Sequence, residues 1–207
     1  MNRRKLKYGE IALMLALAVT LLWGVWSSAQ HTELAGKMIR LHVIANSDTP
    51  EDQRLKLSVR DEILARATEI LEQAGDMTDA QIRLTAALPQ LEREAQNVIS
   101  SSGYHYSVSA RLEETEFPRK LYEGFALPGG KYLALRVIIG EGAGENWWCV
   151  VFPPLCTTAA TNWEQAAIST GLNEEDLSLI TQENSGYVLK FRSLELWENF
   201  RRWLGKE

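Results

Sequence analysis

Ile39-Arg40-Leu41-His42-Val43-Ile44-Ala45-Asn46-Ser47-Asp48-Thr49-Pro50-Glu51-Asp52 is the stretch on which the architecture of this 207-residue chain turns. Ile39, Leu41 and Val43 alternate with Arg40 and His42, the period of a strand with one face buried. Ala45-Asn46-Ser47-Asp48 is a polar turn. Thr49 then reads as a helix cap, with Pro50 at the first helical position and Glu51 and Asp52 suited to the positive helix end. Leu55, Val59, Ile63, Ala67 and Ile70 continue as an apolar stripe to about Gln73, and Gly75 stops it.

Downstream, Thr78 and Gln81 have the spacing of a capping box and open a second helix lined by Ile82, Leu88, Leu91, Ala95, Val98 and Ile99. Pro89 should kink or split it. After Gly103 the period changes to two, with Tyr104, Tyr106, Val108, Ala110 and Leu112 on one face of a strand. Phe117–Phe125 is a shorter strand and Leu127–Gly130 a turn. Tyr132–Ile139 is expected to pair with Trp147–Phe152 across Gly140-Glu141-Gly142-Ala143-Gly144. A helix over Asn173–Ile180, a strand over Tyr187–Phe191 and a terminal helix from Ser193 through Leu204 complete the reading. Strands in succession and helices in a cluster predict an α+β fold, an antiparallel sheet with helices packed on one face.

Upstream, Arg3, Arg4, Lys5 and Lys7 precede an uncharged, mostly apolar run from Ile11 to Trp26, and Ser27, Ser28 and Ala29 follow. That is the secretory pattern, with Ala29-Gln30 as the cleavage site. The run spans about 24 Å as a helix against a hydrocarbon core of about 30 Å. With Ser27 and Ser28 included, an uncleaved anchor holding Trp23 and Trp26 at the outer interface stays open beside a cleaved leader. Residues 1–29 are therefore read as signal peptide or membrane anchor, and residues 30–207 as one extracytoplasmic domain touching membrane only through that N-terminal segment. Beyond the leader, 18 basic residues face 26 acidic ones. This balance argues against a nucleic-acid partner, whose phosphates reward basic patches.

The two cysteines, Cys149 and Cys156, lie on the exported side with Pro153-Pro154 between them. They read equally as a small disulfide ring or as two buried thiols. No matching second pair accompanies them, so a zinc site is not expected, nor is any other metal or cofactor. Asp48-Thr49-Pro50 lacks the glycine and the second carboxylate that aspartic-protease chemistry needs. Gly140-x-Gly142-x-Gly144 precedes a strand where a phosphate loop requires a helix. His42, Asp48 and His105 belong to no recognisable nucleophile motif. No catalytic set is expected. What gathers instead is a mixed-sign polar face suited to a specific protein contact: Arg40, His42, Asn46, Ser47, Asp48, Asp52, Gln53, Lys56 and Arg60. Asp52, Lys56 and Arg60 share one helical face, and Trp147-Trp148 is the next candidate contact.

Three strings carry a resemblance. The first is Ile39 through Asp48 with Asp52-Gln53-x-Leu55-Lys56 and Val59-Arg60-Asp61. The second is Phe117-Pro118 with Tyr122 and Gly130-Lys131-Tyr132-x-Ala134-Leu135-Arg136-Val137. The third is Gly140-x-Gly142-x-Gly144-x-Asn146-Trp147-Trp148-Cys149-Val150-Val151-Phe152-Pro153-Pro154-Leu155-Cys156. Together they resemble the stage II sporulation protein R family of endospore-forming bacteria. The resemblance implies a non-enzymatic signalling protein, made in the forespore and exported into the space between forespore and mother cell. There it would activate a membrane-embedded aspartic protease that cleaves pro-sigma-E. The resemblance carries no active-site residues. The rival class is an exported hydrolase acting on wall or peptide through His42, Asp48 or His105.

Overall fold

The computed structural model describes residues 3–122, 124–155 and 163–184. In chain order these form α1 (Arg3–Ala35), β1 (Ile39–Ile44), α2 (Pro50–Leu71), α3 (Met77–Ser101), β2 (Val108–Phe117), β3 (Lys120–Leu121), β4 (Ala126–Leu127), β5 (Gly130–Ile139), β6 (Asn146–Phe152), α4 (Trp163–Ser169) and α5 (Glu174–Asn184). The strand expected at Tyr187–Phe191 and the helix expected from Ser193 lie outside the described residues.

The chain divides into two compact units, Met1–Phe117 with Gly130–Leu172, and Pro118–Gly129 with Asn173–Glu207. In the first, four strands order as β2-β5-β1-β6. The inner face of this sheet, Leu41, Val43, Leu135, Val137, Cys149 and Val151, packs on Leu55, Val59 and Ile63 of α2 and Leu84, Leu91 and Ile99 of α3. In the second unit β3 and β4 form a short antiparallel ladder, and Tyr122 stacks on Phe125 at 4.8 Å. The helix read at Asn173–Ile180 is α5. Its start is closed reciprocally, Asp176 N donating to Asn173 Oδ1 and Asn173 N to Asp176 Oδ2.

The class is α+β as read, but the sheet is mixed rather than antiparallel. β1 runs parallel to β5 from Ile39↔Leu133 to Ile44↔Ile138, and antiparallel to β6. Parallel neighbours require a long crossover, and the two helices and β2 between Ile44 and Gly130 supply it. The expected hairpin of β5 with β6 does not form, because β1 lies between them. With both long edges paired and both faces covered, every residue of β1 is buried, including the two polar ones.

Three boundaries also move. Thr49 caps α2 as read, its side chain accepting from Asp52 N. The second helix, however, is capped by Asp76 in place of Thr78. Pro89 neither splits nor ends α3. It stands on the exposed side, as does Thr85, whose carbonyl loses the donor. The strand expected from Tyr104 begins at Val108, opposite the last residue of β5, and runs on to Phe117. Tyr104 and Tyr106 stack on each other at 5.5 Å and pack against the core outside the ladder. The outer edge of β2 is partly closed by α3, where Glu92 accepts from Ala110 N and Gln96 donates to Tyr106 O.

At the other end of the chain α1 is apolar around its circumference, with Ile11, Leu13, Met14, Leu17, Leu21, Leu22 and Trp23 exposed. Its last turn is different: Leu34 and Ala35 are buried, and one turn later Met38 leads into β1. Among the described residues no helix is long and apolar enough to cross a membrane.

Candidate functional site

At the C-terminal end of β1 the chain turns through Asn46-Ser47-Asp48 into α2, and the loop from β5 to β6 passes directly over that turn. The two loops are joined by backbone bonds from Ala143 N to Asn46 O and from Gly144 N to Ala45 O. Side chains then lock the junction. Asn46 Oδ1 accepts from Glu141 N at 3.0 Å, and Asp48 Oδ1 accepts from Glu145 N at 2.7 Å. Close approach is possible because the loop carries glycines. A Cβ on Gly140 would fall on the Asn46 side chain, and one on Gly144 on the Ser47 backbone. Gly140 and Gly142 also have φ of +56° and +61°, where only glycine is unstrained.

Beneath the junction two charges are buried. Asp52 Oδ2 receives Ser47 Oγ at 2.6 Å and Asn46 Nδ2 at 2.8 Å. Burial pushes its carboxyl up, but hydrogen bonds from Ser47, Asn46 and Tyr106 together outweigh this and hold it below the usual carboxylate range. Lys56 Nζ donates to Gln53 Oε1 at 2.5 Å and to the Glu145 carbonyl at 3.0 Å. Gln53 Nε2 in turn donates to Ser47 O. Burial lowers the Lys56 pKa, against the opposing charges of Glu145 and Asp48. Each charged group has its donors or acceptors supplied, as buried charge requires.

The face of β1 turned away from the helices holds the other two polar residues. Arg40 is fully buried, its guanidinium carbon 4.0 Å from the Phe117 ring centroid and 4.8 Å from that of Tyr132. His42 Nε2 meets Asn146 Oδ1 at 2.7 Å, and its ring lies 6.0 Å from that of Trp148. Burial lowers the His42 pKa, the Asn146 bond opposes this, and the charges of Arg136 and Arg40 lower it further.

The residues read as one mixed-sign face are therefore divided. Asn46, Ser47, Asp48, Asp52 and Lys56 do converge, but Asp52 and Lys56 are interior supports, and Arg40 and His42 are interior on the opposite side of the sheet. Asp52, Lys56 and Arg60 form no ion pair with one another; Arg60 pairs with Asp61 at 2.6 Å. Arg60 also lies 4.2 Å over the Trp147 ring, so the helix and tryptophan candidates meet. Trp147 is 38% exposed and Trp148 half-buried. Three participants were missed: Tyr106, Asn146 and the Glu145 carbonyl. Asn146 stood in the third string, whereas a backbone carbonyl leaves no mark in a sequence. His42, Asp48 and His105 are not brought together, since His42 bonds Asn146, Asp48 bonds Glu145 N, and His105 is exposed.

The whole junction, from the end of α1 through β6, falls within residues 35–162, which match the family model described as stage II sporulation protein R. The chain belongs to this family. The stage II sporulation protein R of Bacillus subtilis (strain 168) is 34% identical over 138 residues, covering 67% of this chain and 62% of that protein. Membership supports a role in sporulation. No solved structure matches the chain. In this chain the glycine string and the Asn46-Ser47-Asp48 turn are two halves of one packed junction.

Proposed function

We propose that this chain is an exported signalling protein of sporulation, not an enzyme, which activates a membrane-embedded aspartic protease and so triggers cleavage of pro-sigma-E. Membership of the stage II sporulation protein R family carries the reading. Residues 1–29 serve as leader or anchor, delivering residues 30–207 across the forespore membrane into the intermembrane space. The basic start, the exposed apolar surface of α1 and the small-residue exit at Ser27–Ala29 support this.

Of the candidate contacts, Asp48 and Trp147 are exposed, and Asn46, Ser47, Arg60 and Trp148 are half-buried. Asn46, Ser47, Asp48, Arg60 and Trp147 form the rim of the junction, Asp52 and Lys56 fix its shape from below, and Trp148 lies beside His42 on the other face of the sheet. Tryptophan and arginine, stacked here, are among the residue types most enriched where interface energy concentrates. Arg60→Ala and Trp147→Ala are expected to shift stability by only about 0.5–1 kcal/mol. At a desolvated contact each should cost about 2 kcal/mol or more of binding. Co-expression of the full chain with the protease and pro-sigma-E tests both statements. Wild type should produce cleavage, and the two variants should lose it at unchanged export level and melting temperature. No cleavage with wild type would sink the functional reading, and normal cleavage with both variants would remove this rim as the contact.

We also propose that Cys149 pairs with Cys156. Cys149 is buried in β6, and Cys156 lies outside the described residues. Alkylating natively exported protein without reductant should label neither residue even after unfolding, whereas labelling of both under those conditions would exclude the bridge.

A further inference from the structure

Across the sheet face turned away from the helices, one row of the ladder reads Arg111↔Arg136↔His42↔Trp148, one residue from each strand. Residues directly opposite on neighbouring strands are close, and like charges in such positions destabilise a sheet. Arg111 and Arg136 nevertheless face each other, and Arg40 lies one step further along the same face. Glu113, beside them on β2, pairs with Nη1 of Arg136. Arg136 Nε has no acceptor, nor has His42 Nδ1 any partner. Arg111 is exposed and makes no ion pair among the described residues. The field this creates is felt by His42, which Arg136 and Arg40 disfavour as a cation.

A positive row of this kind is out of character for a chain of net charge −5. We propose that Arg111 and Arg136 form a docking site for a carboxylate-bearing segment of the partner protein. The Arg136 side chain is 27% exposed, and Glu113 occupies one end of its guanidinium. The exposed part of the side chain remains for a second carboxylate, a charge-assisted contact that leaves the buried Nε untouched. Arg111, on the outermost strand of the sheet, supplies the second charge and relieves its own repulsion when the acid arrives. An acidic protein segment is the occupant because the row is cationic in a chain of net charge −5 and flanked by the half-buried Trp148, which favours a chain with side chains over a bare ion.

The inference rests on the activator reading above, and the test separates the two. Full chain carrying Arg111→Gln or Arg111→Glu is compared with wild type for capture by the detergent-solubilised protease, for pro-sigma-E cleavage and for melting temperature. Removing a like-charge neighbour should leave melting temperature unchanged or raised. Capture should fall about tenfold or more for Gln and further for Glu, and wild-type capture should weaken as salt rises. Variants that bind and activate like wild type overturn the site while leaving the activator reading intact. A wild type that neither binds nor activates overturns both. Vesicles of phosphatidylglycerol and phosphatidylcholine form the control: Arg111-dependent binding to them, without effect on protease capture, would make the occupant a lipid headgroup and overturn the proposal.

Discussion

Asp52→Ala is expected to destabilise the first unit by about 2 kcal/mol or more, because two side-chain donors lose one acceptor at once. Asn46 Nδ2 and Ser47 Oγ both end on Oδ2 of this buried carboxylate. Each buried donor left without an acceptor costs about 1–3 kcal/mol. A smaller contribution of about 0.3–1 kcal/mol goes with the acid in the first turn of α2. Urea unfolding of wild type and variant measures the sum, and a loss below about 1 kcal/mol would mean that water substitutes freely for the carboxylate. The pH dependence is a second check. The folded-state pKa is depressed, so the Asp52 contribution is fully present above the unfolded value of about 3.9 and is lost as pH falls through the folded one. Asp52→Asn keeps the shape and removes the titration. Its stability difference from wild type should therefore shrink as pH is lowered from about 5 to about 2. A difference that stays constant over that range would show that Asp52 does not titrate with folding.

The strand, turn and helix at residues 39–71 were legible because their determinants are local. Alternation placed Leu41 inward, and Thr49-Pro50 marked the helix start within one residue of its capped position. What connects distant segments was not legible. Nothing near Gly140 announces that β1 will enter between β5 and β6, so consecutive strands separated by a glycine-rich stretch read as a hairpin, the commonest arrangement. The same glycines have another cause, visible only when Asn46 and Ser47 lie beneath them. Arg40 and Lys56 were misplaced for a related reason. A charged residue is normally read as solvated, and the partners that permit burial here, the Phe117 and Tyr132 rings and the Glu145 carbonyl, lie far along the chain. The rim residues Asp48 and Trp147 were legible as candidates because both sit in strings that carry the family resemblance. That they share a junction required the sheet order.

Gly144→Ala should be the more damaging of two substitutions in the crossing loop, with Gly140→Ala close behind. At Gly144 the added methyl falls on the carbonyl group of Ser47, a backbone atom that cannot rotate away. Relief requires the loop to lift, which breaks the bonds from Gly144 N to Ala45 O and from Ala143 N to Asn46 O and draws Glu145 from Asp48 and Lys56. Overpacking alone costs about 1–3 kcal/mol, and each lost hydrogen bond about 0.5–1.5 kcal/mol. A total of about 3–5 kcal/mol follows. At Gly140 a left-handed backbone adds about 1–2 kcal/mol for any L residue. The methyl there displaces Asn46, whose amide is shared between Glu141 N and Asp52. Gly140→Ala and Asp52→Asn therefore disturb one network from two ends. Their combined effect should fall short of the sum of the singles by about 0.5 kcal/mol or more. Strict additivity in a double-mutant cycle would mean that loop and helix are fastened independently. In that case the rim at Ser47, Asp48 and Trp147 would not be held as one surface by Asp52, and a partner's contact with the loop would be insensitive to changes at the helix start.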